Sequence, residues 1–231
     1  MTANSVEFMK DLEERYKRAA GLKNRSQFKI FYGQIKEASV LTLGINPGGK
    51  PLETSTDGTQ QSDGKKASAS ASFFEDDEND ILDCEWKENA GLRKLLIPYF
   101  AGDASKIRSD VVKSNLAFRR SASKRDIDIG AAILEASPFL SQILSYVKPK
   151  IIILTGASLA QFTSEYAVSS QVLFPPEVEP SVKQVVFSAA RAKLKSNNTE
   201  VTVVQVAHAS QFNWTYERYE IPSRIRLLAE A

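Results

Sequence analysis

Val40-Leu41-Thr42-Leu43-Gly44-Ile45-Asn46-Pro47-Gly48-Gly49 is the stretch that decides the fold. Its apolar residues (Val40, Leu41, Leu43, Ile45) run straight into Asn-Pro-Gly-Gly, so a core strand delivers a polar side chain to its carboxyl end and then turns sharply. In open α/β sheets ligands gather at those ends. Taken alone, Asn46-Pro47-Gly48-Gly49 reads better as an ordinary chain reversal, because Asn and Gly tolerate unusual φ and Pro presets it. Two more apolar runs shift the balance. Val111 to Leu116 contains Asn115 near its end, and Val201 to Val206 opens into His208, the sole histidine.

The rest of the chain fits one α/β domain spanning 1–231, long enough to bury a core without disulfides. Hydrophobic content of 42%, charged content of 25% and a net charge of +2 are those of a soluble globular protein, so any nucleic-acid footprint has to be local. The single cysteine, Cys84, excludes an internal disulfide, argues against a thiolate metal centre and points to a reducing cytoplasm. Met1 to Gly21 lacks the apolar core of a signal peptide, and no apolar stretch approaches the roughly 20 residues that span a bilayer. Neither metal nor organic cofactor is expected, and the protein is expected to be a monomer.

Helical spacing predicts helices from Asn4 or Ser5 to about Ala20, over Ser26 to about Ala38, from Trp86 to Phe100 and over Asp128 to Val147. Between them, 50–72 is a polar loop expected to be flexible, followed by Phe73-Phe74 and an acidic stretch from Glu75 to Glu85. Ile151-Ile152-Ile153-Leu154 reads as a buried parallel strand ending in Thr155-Gly156. A helix from Ser158 to Tyr166, a Pro-rich loop, a basic helix from Ser181 to about Lys195 and a short terminal helix over Pro222 to Ala229 complete the pattern. Alternation of strand and helix predicts a three-layer αβα sandwich around a central four-stranded parallel sheet.

Asn46, Asn115 and His208 are then polar groups at the carboxyl ends of distant strands. An Asn amide offers an acceptor and two donors, able to match a base edge or orient a water, and His can donate to an oxygen that becomes negative as a bond breaks. Arg119, Arg120, Lys124 and Arg125 follow Asn115 as the densest basic cluster. Such a cluster is either an ordinary solvated loop or, beside a group able to match a base edge, a phosphate contact.

These residues carry a resemblance. Gly44-Ile45-Asn46-Pro47-Gly48 resembles the first motif of the mismatch-specific and single-strand-selective branches of the uracil-DNA glycosylase superfamily, and His208-Ala209-Ser210 resembles its second motif, usually His-Pro-Ser. Asn115-Leu116 resembles the base-reading segment between them, and Pro138 to Gly156 resembles the intervening helix and third strand. The similarity runs from about Val40 to Trp214.

The resemblance implies a uracil-DNA glycosylase-like fold and a monofunctional DNA glycosylase. Asn46 is expected to position the attacking water, Asn115 to bond the flipped base, and His208 to stabilise charge on the departing base. The backbones of Gly48 and Gly49 approach the base and Phe74 (or Phe73) stacks on it. Ser210, Gln211 and Phe212 meet DNA, the last two as a wedge. Ala209 stands where the motif usually has Pro, which is expected to loosen the turn, and Gly48-Gly49 leaves open the space that uracil-strict members fill with an aromatic. A bulky hypermodified cytosine of phage DNA, excised in anti-phage defence, is therefore an alternative substrate. A catalytically inactive DNA-binding protein of the same fold and a small-molecule nucleosidase are the rivals of other classes. No lysine lies within either motif to form a Schiff base, although Lys50 is close by.

Overall fold

The computed structural model describes residues 3–23, 27–33, 35–47, 81–82, 87–121 and 127–230. Gly48, Gly49, Phe74, Lys124, Arg125 and the 50–72 segment lie outside the described residues.

Helix α1 (Ala3–Ala19) precedes strand β1 (Val40–Gly44); α2 (Lys87–Tyr99) and α3 (Ser105–Asp110) lead to β2 (Val111–Asn115), and α4 (Ile129–Val147) leads to β3 (Ile151–Thr155). Next come α5 (Leu159–Tyr166), β4 (Ala167–Glu179), β5 (Gln184–Leu194), β6 (Glu200–Val206), α6 (Trp214–Arg218) and α7 (Ile221–Glu230). The strands form one six-stranded mixed sheet in the order β2-β1-β3-β6-β5-β4. β2, β1, β3 and β6 are parallel neighbours, in register Gly44 with Asn115, Val40 with Ile151 and Ile151 with Thr202. β5 and β4 extend the sheet antiparallel.

Period-two alternation divides the core. Leu41, Leu43, Val112, Ile152, Leu154, Ala190 and Ala192 pack with Met9, Leu12 and Tyr16 of α1 and with the buried sides of α4 and α5. Val40, Val111, Ile151, Ile153, Phe187 and Ala189 face the other way, onto Leu92, Leu95 and Leu96 of α2, Ile107 of α3 and Ile221 and Ile225 of α7. The sheet is thus flanked by helices on both faces, which is why its central strands read as continuous apolar runs. Local signals set the helix ends: Asp128 accepts from the backbone of Ala131 at the start of α4, and Ser158 accepts from Gln161 at the start of α5.

The expected four-stranded parallel sheet is the parallel part of a larger one. The expected Pro-rich loop and basic helix over Ser181 to Lys195 are instead the β4–β5 hairpin. Ala189-Ala190-Arg191-Ala192 has good helix formers, yet Phe187 and Ala189 pack on one face of the sheet while Ala190, Ala192 and Leu194 pack on the other, a period of two. The helix expected over Ser26 to Ala38 is also absent from the described residues there. Lys29 donates its backbone N–H to Phe118 O (2.8 Å) and Arg120 donates to Gln27 O (2.9 Å), so this segment runs as an extended cover beside the chain leaving β2.

Candidate functional site

Because β2, β1, β3 and β6 are parallel neighbours, their carboxyl ends lie along one edge in the order Asn115, Asn46, Gly156, His208. A strand spacing of about 4.8 Å puts Asn115 one strand from Asn46, and His208 two strands beyond it, about 10 Å away. The three residues singled out in the sequence are brought to one edge.

Asn46 follows β1 half-buried. Its Nδ2 donates to Pro47 O and to Ser121 Oγ, both at 3.1 Å, and the Ser121 backbone N–H donates to Pro47 O at 3.3 Å. Both amide hydrogens are engaged, so what Asn46 offers a ligand is its acceptor oxygen. Ser121, 5% exposed, had no sequence signal beyond its place near the basic cluster.

Asn115 ends β2 and is 2% exposed. Its Nδ2 donates to the Tyr32 hydroxyl at 2.9 Å. Behind it lies a buried polar group that sequence reading missed. Lys113 Nζ donates to Asn89 Oδ1 (2.8 Å), pairs with Glu88 Oε2 (3.4 Å) and sits 4.5 Å from the centre of the Tyr32 ring. Lys29 Nζ lies 4.8 Å from the same ring centre. Burial, and next the Glu88 carboxylate, push the Tyr32 phenol well above its usual range, against the lowering effect of the Asn115 hydrogen bond and Arg120. Tyr32 is therefore a neutral hydroxyl at physiological pH. The available signal was periodicity: Val111, Lys113 and Asn115 share one face of a strand, so two polar side chains stand where apolar ones belong.

His208 sits two residues beyond β6. Ser210 brackets its Nδ1 through the backbone N–H at 3.3 Å and Oγ at 2.9 Å. A backbone N–H can only donate, so Nδ1 accepts, and the proton of the neutral ring belongs on Nε2. The imidazole rests on Gly156, where an added Cβ would meet His208 Cδ2 at 2.9 Å. The turn is braced although Ala209 stands in place of Pro. Asn213 Nδ2 donates to Ala209 O (2.9 Å), Tyr216 OH donates to Ala207 O (2.7 Å), and Gln211 and Phe212 donate their N–H groups to His208 O (3.0 and 2.9 Å). Gly91 of α2 lies directly against the Ala209 carbonyl, a contact open only to a residue without a side chain. Gln211 is exposed and Phe212 half-buried.

The basic cluster divides. Arg119 contacts Glu135 through Nε (2.9 and 3.1 Å) and Nη2 (2.6 Å), and a further Nη2 bond reaches Ala20 O (2.9 Å), so its guanidinium ties the end of α1 to α4. Arg120 lies near enough to Tyr32 to act on its titration and so remains beside the strand-end edge. One cleft is lined by Phe8, Gln142 and Tyr146 of α1 and α4, and another by Arg119, Asp128 and Glu135 at the start of α4. Among the described residues no cluster of His, Cys, Asp and Glu is arranged for a metal, and no helix is long and apolar enough to cross a membrane.

No protein-family model matches the chain, and no curated protein shows significant sequence similarity to it. The functional reading rests on the residues themselves.

Proposed function

We propose that the protein is a monofunctional DNA glycosylase of the uracil-DNA glycosylase type, removing uracil or a modified pyrimidine and leaving an abasic site. The observation that carries the reading is the alignment of Asn115, Asn46 and His208 along the carboxyl edge of four parallel strands. Each offers the atom its step needs. The extruded base meets the Asn115 amide; Asn46 Oδ1 accepts a hydrogen bond from a water and holds it toward the sugar C1′; the His208 Nε2–H donates to the base oxygen on which charge grows. The C1′–N bond breaks with its electron pair on the base, the water oxygen bonds to C1′, and the water's proton ends on the freed base. The imidazole best does this neutral, and the Ser210 donation to Nδ1 favours that form.

DNA is the proposed partner, held through Arg120 and the segment from Ser210 to Phe212. The test is abasic-site formation, read by alkaline strand cleavage, on DNAs carrying uracil, 5-hydroxymethylcytosine, glucosylated 5-hydroxymethylcytosine or only ordinary bases, with Asn46→Ala as control. Asn46-dependent cleavage of uracil DNA supports a repair enzyme, and cleavage confined to the modified cytosines supports defence against modified phage DNA. DNA binding with no Asn46-dependent cleavage refutes the glycosylase and leaves a binding protein.

A further inference from the structure

We infer that Glu88 is a specificity-determining residue whose carboxylate accepts a hydrogen bond from the exocyclic amine of the extruded base, so that the site takes amino-bearing pyrimidines of the cytosine type and turns uracil away. The inference rests on the glycosylase reading and narrows its substrate.

Glu88 lies in the first turn of α2, and one turn later Gly91 seats that helix against the Ala209 carbonyl of the histidine turn. Positions 88 and 91 share a helix face, so the carboxylate is directed at the same strand-end edge. A Cβ built on Gly44 would stand 3.4 Å from Glu88 Oε1 and 2.7 Å from the Asn115 amide oxygen, so both groups crowd the space over the last residue of β1, two positions before Asn46. After burial, the Glu88 carboxylate is the next cause holding the phenols of Tyr32 and Tyr216 above their usual range. Tyr32 bonds Asn115 and Tyr216 bonds Ala207 beside His208, so Glu88 lies between the two ends of the edge.

The two carboxylate oxygens differ. Oε2 pairs with Lys113 Nζ at 3.4 Å, while Oε1 has no hydrogen-bond partner among the described residues. Asn115, Asn89 and Lys113 are buried, but the Glu88 side chain keeps 24% exposure, so Glu88 is the member of this group that a ligand reaches. A carboxylate paired with a buried ammonium only accepts; unlike an amide or a hydroxyl, it has a single way to read a base edge. The N4 amine of a cytosine-type base donates to it, whereas the O4 carbonyl of a uracil-type base meets it lone pair to lone pair. Lys113 offsets the negative charge that would otherwise repel DNA here, a use for a buried lysine that hydrolysis itself does not supply.

The test is kcat/KM for abasic-site formation on matched pairs of DNAs: cytosine with uracil, 5-hydroxymethylcytosine with 5-hydroxymethyluracil, and the glucosylated forms of the second pair. The full-length wild type is compared with Glu88→Gln and Glu88→Asp. Within the pair cleaved fastest, the wild type favours the amino-bearing base by about tenfold or more. Glu88→Gln, whose amide can donate to a carbonyl, lowers that ratio by about tenfold, the scale of one base-edge contact to a charged group. Glu88→Asp keeps a charge beside Lys113, draws the oxygen back by one methylene and lowers the ratio as well. A wild type that prefers the carbonyl-bearing base, or treats both alike, overturns the inference and leaves the glycosylase standing. Rates that fall together at constant ratio in both variants make Glu88 a counter-ion of Lys113 and nothing more, which also overturns it. Absence of Asn46-dependent cleavage of every DNA overturns the glycosylase reading and the inference with it.

Discussion

Gly91→Ala tests how the histidine turn is seated, and the sign of its effect settles the matter. Gly91 lies inside α2, where replacing glycine by alanine normally stabilises a helix by about 1 kcal/mol. Here the added Cβ would fall 2.0 Å from Ala209 O, 2.7 Å from its carbonyl carbon and 3.0 Å from its Cα, all backbone atoms. Relief to an ordinary carbon–oxygen contact of about 3.3 Å requires α2 and the turn to part by roughly 1.3 Å. Overpacking costs about 1–3 kcal/mol, and a clash this close with backbone atoms that cannot swing aside falls in the upper half of that range, about 2–3 kcal/mol, with the Asn213 bond to the same carbonyl strained as well. Set against the gain in helix propensity, the net loss is about 1–2 kcal/mol, a fall in Tm of roughly 2–8 °C for a chain of this size. Differential scanning calorimetry reads it directly. A Tm equal to or above that of the wild type refutes the packing argument, because without the clash the substitution raises Tm by about 2–4 °C. If the glycosylase reading holds, shifting His208 by about 1 Å also lowers kcat on the order of 100-fold.

Three further outcomes are expected. Ser121→Ala removes one of the two acceptors that hold the Asn46 amide and lowers kcat by about tenfold with KM little changed, since orientation rather than binding is lost; a change confined to KM refutes it. Arg119→Ala destabilises the fold by about 1 kcal/mol by leaving the partly exposed Glu135 with only the Tyr16 hydroxyl, and leaves the salt dependence of DNA binding unaltered, whereas Arg120→Ala lowers that log–log slope by about one; equal slopes for the two variants contradict this. The Tyr219 hydroxyl, then Ser181, holds the Glu179 carboxyl below its ordinary range, so the stability it contributes is present above roughly pH 4.3, the ordinary carboxyl value, and is lost as pH falls through the lower folded-state value. Tyr219→Phe therefore lowers Tm at pH 7 and converges on the wild type at pH 2, and a Tm difference independent of pH rules this out.

The fold was legible where burial and periodicity agree. β1, β3 and β6 announced themselves as apolar runs because both faces of each are covered, and α4 showed its stripe through Ile133, Ala136, Leu140, Ile143 and Leu144. It was not legible where tertiary contacts override local preference. Phe28, Phe31 and Ile35 have helical spacing, but all are buried because an extended segment lies between α1 and the chain after β2. β5 has the composition of a helix because burial on both faces fills it with Ala and Ser in place of an alternation of apolar and charged residues, and Ser188 is fully buried there. A strand in that setting keeps little of its period in the polarity pattern.

The candidate site divides in the same way, and the division is informative about what a single sequence can carry. Asn46, Asn115 and His208 could be found because each interrupts an apolar run at the point where a strand must end. Their supports could not, since Tyr32 and Asn115 are separated by 83 positions and Asn46 and Ser121 by 75. Serine and tyrosine are common in any loop, and only the meeting of β1 with β2 gives these two a role. Lys113 lies between the two cases. Its place two residues before Asn115 marks a polar strand face that a core position does not tolerate without partners, so the sequence states that partners exist while the fold alone names Glu88, Asn89 and Tyr32.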